Sequence, residues 1–192
     1  MERECTKPHH HAGKSSESLL EKNLILTALG VEPGQTVLDA GCGNGYMAKA
    51  FSQQVGETGT VYALDPDEAS IAALGEETEG TNIVPMLADI TRPTDLPASA
   101  FDLIYLSMVV HGFSPEQFGG FEAEVTRLLA PDGRLAIVEI AKREMPFGPP
   151  LERRLSPEQL RDTLALEPVT LVELGEWCYM QVFRNPPQAS GE

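Results

Sequence analysis

TVLDAGCGNGYM, residues 36–47, decides how the rest of the chain is read. Val37 and Leu38 form a short apolar run that ends on a carboxylate, Asp39. Three glycines follow at alternate positions, Gly41, Gly43 and Gly45, and then Tyr46, Met47, Ala48, Ala50 and Phe51 have the make-up of a helix start. Strand, acid, glycine turn, helix is the layout of a nucleotide-type site at the carboxyl end of a first parallel strand. Glycine suits such a turn because the chain reverses sharply, often through positive φ, and because a ligand must approach bare backbone. The spacing narrows the choice of ligand. A dinucleotide loop reads G-x-G-x-x-G, but Tyr46 occupies the place of that third glycine, and no G-K-[ST] follows to make a P-loop.

Outward from this turn the chain alternates strand and helix signals. Before it, a helix capped by Ser16 carries Leu19, Leu20, Leu24 and Leu26 as its apolar stripe and stops at Gly30. After it, the second helix runs to Val55, and residues 60–64 (TVYAL) read as a second strand ending at Asp65. Asp65-Pro66-Asp67-Glu68 predicts a helix start with Asp65 as the cap and Pro66 at the first helical position. A third strand covers residues 82–87 and ends at Ala88-Asp89, although Pro85 removes a ladder hydrogen bond. FDLIYL, residues 101–106, is apolar enough for a strand buried on both faces. A helix over residues 114–130 leads through a turn at residues 131–133 into a fifth strand, residues 134–140. Residues 142–154 hold Pro146, Gly148, Pro149 and Pro150 and read as a loop. One more helix starts at Ser156, and strands at residues 169–174 and 177–183 close the chain through Gly175-Glu176. The pattern is a doubly wound α/β domain over residues 15–185, preceded by a polar segment, residues 1–14, and followed by a polar tail, residues 186–192.

Composition bounds the partners. The 192 residues suit one domain with a sizeable core. A net charge of −15 disfavours nucleic acid and anionic membrane surfaces, since Lys and Arg supply most phosphate affinity. No apolar run reaches the roughly 18 residues of a membrane span. Three cysteines, Cys5, Cys42 and Cys178, have no metal-like spacing, and a reducing, cytoplasmic setting is expected. His9, His10 and His11 with Cys5 offer metal-type donors, but no histidine pair has the i, i+4 spacing of a helical site, so no metal is assigned. The expected partner is a small-molecule substrate, and the protein is expected to be a monomer or homodimer.

Asp39-x-Gly41-x-Gly43-x-Gly45 resembles motif I of the class I S-adenosylmethionine-dependent methyltransferases. The stretch FGPPLERRLSPEQL, residues 147–160, is similar to the region before the last helix in the ubiquinone-biosynthesis and arsenite methyltransferase group. The resemblance implies a Rossmann-like three-layer sandwich on a seven-stranded, mostly parallel sheet of order 3-2-1-4-5-7-6, with the last strand antiparallel. It implies S-adenosyl-L-methionine as cofactor, a cation that an acidic protein attracts. Asp39 and the loop Ala40, Gly41, Cys42, Gly43, Asn44 and Gly45 would hold its methionine end. Asp65, about 20 residues beyond the turn, would accept the ribose hydroxyls with Pro66 beside it. Asp89 would hold the adenine amino group between Ala88 and Ile90, and Ser107 would lie under the cofactor. SMVVHGF, residues 107–113, looks like motif IV, in which Met108, Val109 and His111 would face the acceptor. His111 has the near-neutral basicity of a general base; a packing role is the alternative. An N-terminal lid would bring His11 to the same point as a second catalytic candidate, the alternative being a free polar terminus. Arg153 and Arg154 would bind an anionic acceptor or simply meet solvent. Arsenic chemistry would need several thiols, and only Cys42 lies in the turn.

Two other functions compete with methyl transfer. A nicotinamide-dependent Rossmann oxidoreductase is opposed by the glycine spacing. A non-catalytic S-adenosylmethionine-binding module would share every cofactor residue and differ only in turnover.

Overall fold

Seven strands form one sheet in the order β3-β2-β1-β4-β5-β7-β6 in the computed structural model, which describes residues 20–185. The chain runs α1 (Lys22–Leu29), β1 (Thr36–Ala40), α2 (Tyr46–Val55), β2 (Thr60–Asp65), α3 (Glu68–Glu77) and β3 (Ile83–Leu87). It then crosses to β4 (Phe101–Ser107), α4 (Pro115–Leu128) and β5 (Leu129–Ile140), and finishes with α5 (Pro157–Thr163), β6 (Glu167–Leu174) and β7 (Cys178–Arg184). The first five strands pair in parallel, and β7 is antiparallel to both β5 and β6. The order and the antiparallel β7 are as the motif resemblance implied.

The sheet is covered on both faces because its central strands are apolar on both. In β4, Leu103 and Tyr105 face one core, with Phe51 of α2 and Leu74 of α3. Ile104 and Leu106 face the other, with Phe121 and Val125 of α4 and Leu160 of α5. All four β4 side chains are fully buried, each hydrophobic one contributing about 1.5–3 kcal/mol. The parallel register sets Asp39 beside both Ala63 and Tyr105, so the carboxyl ends of β1, β2 and β4 lie level.

Several local expectations change. In α1 the buried pair is Ile25 and Leu29, one turn apart; Leu26 is partly buried against the same core, and Leu24 is exposed. The Ser16 cap lies outside the described residues. The cap of α3 is Asp67, whose side chain accepts the Ser70 N–H, so Pro66 precedes the helix and Asp65 is released from capping. Pro85 is tolerated because β3 is an edge strand. Residues 131–133 do not form a separate turn: β5 already begins at Leu129, and the register slips between Phe101↔Leu129 and Leu103↔Arg134. Gly133 packs there on the Phe101 carbonyl with no room for a Cβ. β6 starts at Glu167, two residues earlier than its apolar pattern. The expected segments 1–14 and 186–192 lie outside the described residues.

Candidate functional site

The glycine turn sits where β1 ends. The N–H groups of Gly41 and Cys42 both donate to the Leu64 carbonyl, at 2.7 and 3.1 Å, which fastens the turn across to β2. Gly41 has φ +76°, and a Cβ there would lie 2.5 Å from Val109 Cγ2. Glycine is therefore needed at Gly41 for both conformation and contact. Gly43, with φ +52°, differs: a Cβ would meet nothing within 4 Å, so its bare backbone borders open space. Asn44 Oδ1 accepts the Tyr46 N–H at 3.2 Å and helps start α2. Together with Tyr46 it also lines a cavity of about 350 Å³, whose remaining wall is Lys22, Lys49, Ala50 and Gln53.

Two carboxylates flank this turn and are treated differently by it. Asp65 accepts the Gly43 N–H on Oδ2 and the Asp67 N–H on Oδ1, both at 2.9 Å. Its remaining lone pairs are available, because a carboxylate has about four acceptor positions. Asp39 is 3 % exposed, and among the described residues its Oδ2 has no hydrogen-bond partner. Burial pushes the Asp39 carboxyl up to about 7; the Ala48 N–H opposes this, and the Asp65 charge adds to it. Burial also keeps the Cys42 thiol protonated, so Cys42 acts as a small packing residue.

Next to Asp39, the Tyr105 and Ser107 hydroxyls are buried on the same strand face. They approach each other, but not with hydrogen-bonding geometry, and among the described residues neither has another partner. An unpartnered buried polar group costs about 1–3 kcal/mol. Three of them at the head of β1 and β4 mark a place where a polar ligand would recover that cost.

Asp89 lies past the end of β3. Its Oδ1 accepts both the N–H and the hydroxyl of Thr91, at 2.9 and 2.8 Å, and Arg92 stands 3.7 Å from Oδ2. It is thus a fastened, half-buried acid rather than a solvated one. Ala88 is joined to β2 by its N–H on the Asp65 carbonyl, and Ile90 is buried beside it.

The segment after β4 turns back over the glycine turn. Met108 adopts φ +59°, unusual for a side-chain-bearing residue, and its N–H donates to the Val138 carbonyl at 2.9 Å. Val109 then lands on Gly41, and a short 3₁₀ turn, Val110–Gly112, carries His111. His111 Nδ1 lies 2.9 Å from Glu139 Oε2, and its backbone N–H donates to Glu139 Oε1 at 3.3 Å. Burial alone would lower the His111 pKa. The hydrogen bond and charge of Glu139 outweigh it, with Arg153 and Arg154 opposing, and the result is raised above 6.5. Glu139 is the site residue that sequence reasoning missed. Its signal was there: an acid inside the apolar run LAIVEI needs a buried partner.

Arg154 is neither a solvated arginine nor a free anion receptor. It is 4 % exposed and donates to the carbonyls of Pro149, Arg143 and Phe147, at 2.7, 2.6 and 2.8 Å. These bonds fold the proline-rich loop into a wall, where Phe147 meets Trp177 edge-on at 5.6 Å. Arg153 is exposed. A depression of about 700 Å³ is lined by this loop and by none of the glycine-turn residues. Cys5, His9, His10, His11 and Lys14 lie outside the described residues. Among the described residues no cluster of three metal-type donors occurs, and no helix is long and apolar enough to cross a membrane.

Comparison with known proteins agrees with this fold. A family model described as a methyltransferase domain matches residues 37–133, half of the chain. A solved S-adenosylmethionine-dependent methyltransferase from Aquifex aeolicus superposes with a TM-score of 0.77 at 29 % identity, over 89 % of this chain and 93 % of the other. A type 11 methyltransferase structure from Sulfolobus solfataricus, 18 % identical with a TM-score of 0.76 over 91 % and 96 % of the two chains, shares the fold. The ubiquinone/menaquinone biosynthesis C-methyltransferase UbiE of Laribacter hongkongensis is 30 % identical over 131 residues, which is 67 % of this chain and 52 % of that protein. The UbiE of Cupriavidus taiwanensis is 29 % identical over 124 residues, 64 % of this chain and 50 % of its own length. The chain thus spans about half the length of the curated relatives it matches. With its glycine turn, its strand order and these relatives, the chain belongs to the methyltransferase domain family, within the class I group that uses S-adenosylmethionine.

Proposed function

We propose that this chain methylates a small-molecule acceptor, binding S-adenosylmethionine across the carboxyl ends of β1 to β4. The observation that carries this reading is the buried, unpartnered Asp39 Oδ2 beside a turn whose Gly43 backbone is open to a ligand. S-adenosylmethionine supplies an activated methyl group on a cationic sulfur. Asp39 suits the cofactor's ammonium group, because a cation there would ionise the carboxyl and satisfy Oδ2. Asp65, already fixed to Gly43, presents its remaining lone pairs to the ribose hydroxyls. Ala88, Asp89 and Ile90 form the adenine side, Pro66 the ribose side, and Ser107 with Cys42, Asn44 and Gly45 the floor around the methionine portion. His111 faces the acceptor. The protein's share of the rate is alignment and exclusion of water. In this reading the chain folded over Gly41 contributes to both. Two buried free thiols, Cys42 and Cys178, suit a reducing compartment. His11, in the N-terminal segment, remains a second candidate for the acceptor side.

The relatives' name points to carbon as the acceptor atom, and a carbon acceptor is the substrate reading we favour. Calorimetry with S-adenosylmethionine and with NADH tests the cofactor. Binding of the first and not the second is expected; the reverse would return the chain to the oxidoreductases. Labelled cofactor with a metabolite pool then tests turnover, and a bound cofactor with no labelled product under any condition would make the chain a binding module.

A further inference from the structure

We infer that Glu139 is the positioning residue that makes His111 a proton acceptor, and hence that the acceptor is one that must lose a proton, such as a hydroxyl compound or a C–H acid. The inference rests on the methyl-transfer reading for its chemistry, but its geometry stands apart from it.

Glu139 is 1 % exposed on β5, between Val138 and Ile140, where an acid has no packing value. Both its oxygens are spent on one residue, Oε2 on the His111 ring and Oε1 on the His111 N–H. An ionised carboxylate only accepts, so the ring hydrogen must lie on Nδ1, and in the neutral imidazole Nε2 then holds the free lone pair. The backbone bond adds a second constraint. It fixes the carboxylate against the Val110–Gly112 turn, so the ring cannot flip without abandoning Glu139. Through Val109, two residues earlier, the same turn rests on Gly41 of the cofactor turn. His111 is therefore anchored two residues beyond the contact with the glycine turn.

The charged groups around the pair are Glu139 from β5 and Arg153 and Arg154 from the loop. On β7, Tyr179 pairs across from Glu139 and Cys178 lies next to it on the opposite sheet face; burial raises both, so they stay neutral. The acceptor's X–H proton passes to His111 Nε2, the acceptor's electron pair forms the bond to the methyl carbon, and the carbon–sulfur bond breaks with its pair left on sulfur. A thiolate or a tertiary amine has no proton to give and would make the Glu139–His111 pair superfluous.

The test is nitrogen-15 NMR of the histidine rings in the full-length free protein. His111→Gln identifies the His111 signal against the three N-terminal histidines. The expected result is the Nδ1–H tautomer, with a midpoint above the ordinary histidine value of 6.5. Glu139→Gln should lower the midpoint and mix the tautomers, while Glu139→Asp should restore part of both. An Nε2–H tautomer in the wild type, or an unmoved midpoint in Glu139→Gln, would overturn the inference. If Glu139→Gln does not fold, the wild-type tautomer alone decides. Cofactor calorimetry on the wild type separates the two readings: a bare Nε2 with no S-adenosylmethionine binding would keep the pair and sink the methyl-transfer reading.

Discussion

Replacing Asp39 with Asn should remove a pH dependence that this single carboxyl imposes on both stability and cofactor binding. Burial raises its pKa from 3.8 to about 7. At about 1.36 kcal/mol per unit, the three units correspond to about 4 kcal/mol between pH 4 and pH 7. The sign follows from proton counting. In that window the folded chain holds a proton that the unfolded chain has lost, so stability falls as pH rises and the full loss is reached above pH 7. Work near pH 4.6, the isoelectric region, risks precipitation. Urea unfolding from pH 5.5 to 8.5 still captures about half of the effect, about 2 kcal/mol. The wild-type curve should fall by that amount relative to Asp39→Asn, whose other titrating groups are shared. Binding should run the opposite way. A cation placed on Oδ2 expels the proton, so S-adenosylmethionine affinity should strengthen as pH rises towards 7 in the wild type and stay flat in Asp39→Asn. Parallel unfolding curves would refute the buried-carboxyl argument. A wild-type affinity that ignores pH would refute the placement of the ammonium group.

Three further outcomes are expected. Asp65→Ala should weaken S-adenosylmethionine binding by about 1–3 kcal/mol, the scale of charge-assisted hydrogen bonds, as read by calorimetry; unchanged affinity would remove the ribose assignment. Gly41→Ala should cost about 1–3 kcal/mol of unfolding free energy from its positive φ and the clash with Val109. Adding Val109→Ala should recover the steric part only, which a double-mutant cycle measures. Arg154→Met should leave three carbonyls without their donor and cost about 2–4 kcal/mol. The first new proteolytic cleavages should fall in residues 143–150, and cleavage elsewhere first would mean that the loop is held by other contacts.

The glycine turn of the proposed cofactor half was legible because residues 39–45 are consecutive. Asp39, Asp65 and Asp89 each close a strand signal or follow one, and the glycines between them have a spacing that separates ligand types. What was lost there was the division of labour in Asp65-Pro66-Asp67: either acid satisfies the pattern of a helix cap. Only the Gly43 N–H, 22 residues away, assigns Asp65 to the turn and leaves the cap to Asp67. The acceptor half was less legible because its bonds span the sheet. Glu139 meets His111 across 28 residues, and no local periodicity encodes that pairing. Arg154 looked like a surface residue because its partners are backbone carbonyls, which have no sequence signature.

The two halves of the proposed site meet where Val109 rests on Gly41, and the same stretch holds a strained residue. Met108 at φ +59° is held in a costly conformation, of order 1 kcal/mol or more. Its own N–H is tied to Val138 of β5, and three residues later His111 is tied to Glu139, the next residue of the same strand. With both ends pinned to adjacent positions of β5, the intervening chain must bulge towards β1, and Val109 comes down on Gly41. A larger residue at position 41 would push that bulge away, and with it the His111 ring. In the proposed reading Gly41 thus serves the acceptor side as much as the cofactor side, because it lets Val109 close on the turn and so sets where His111 stands.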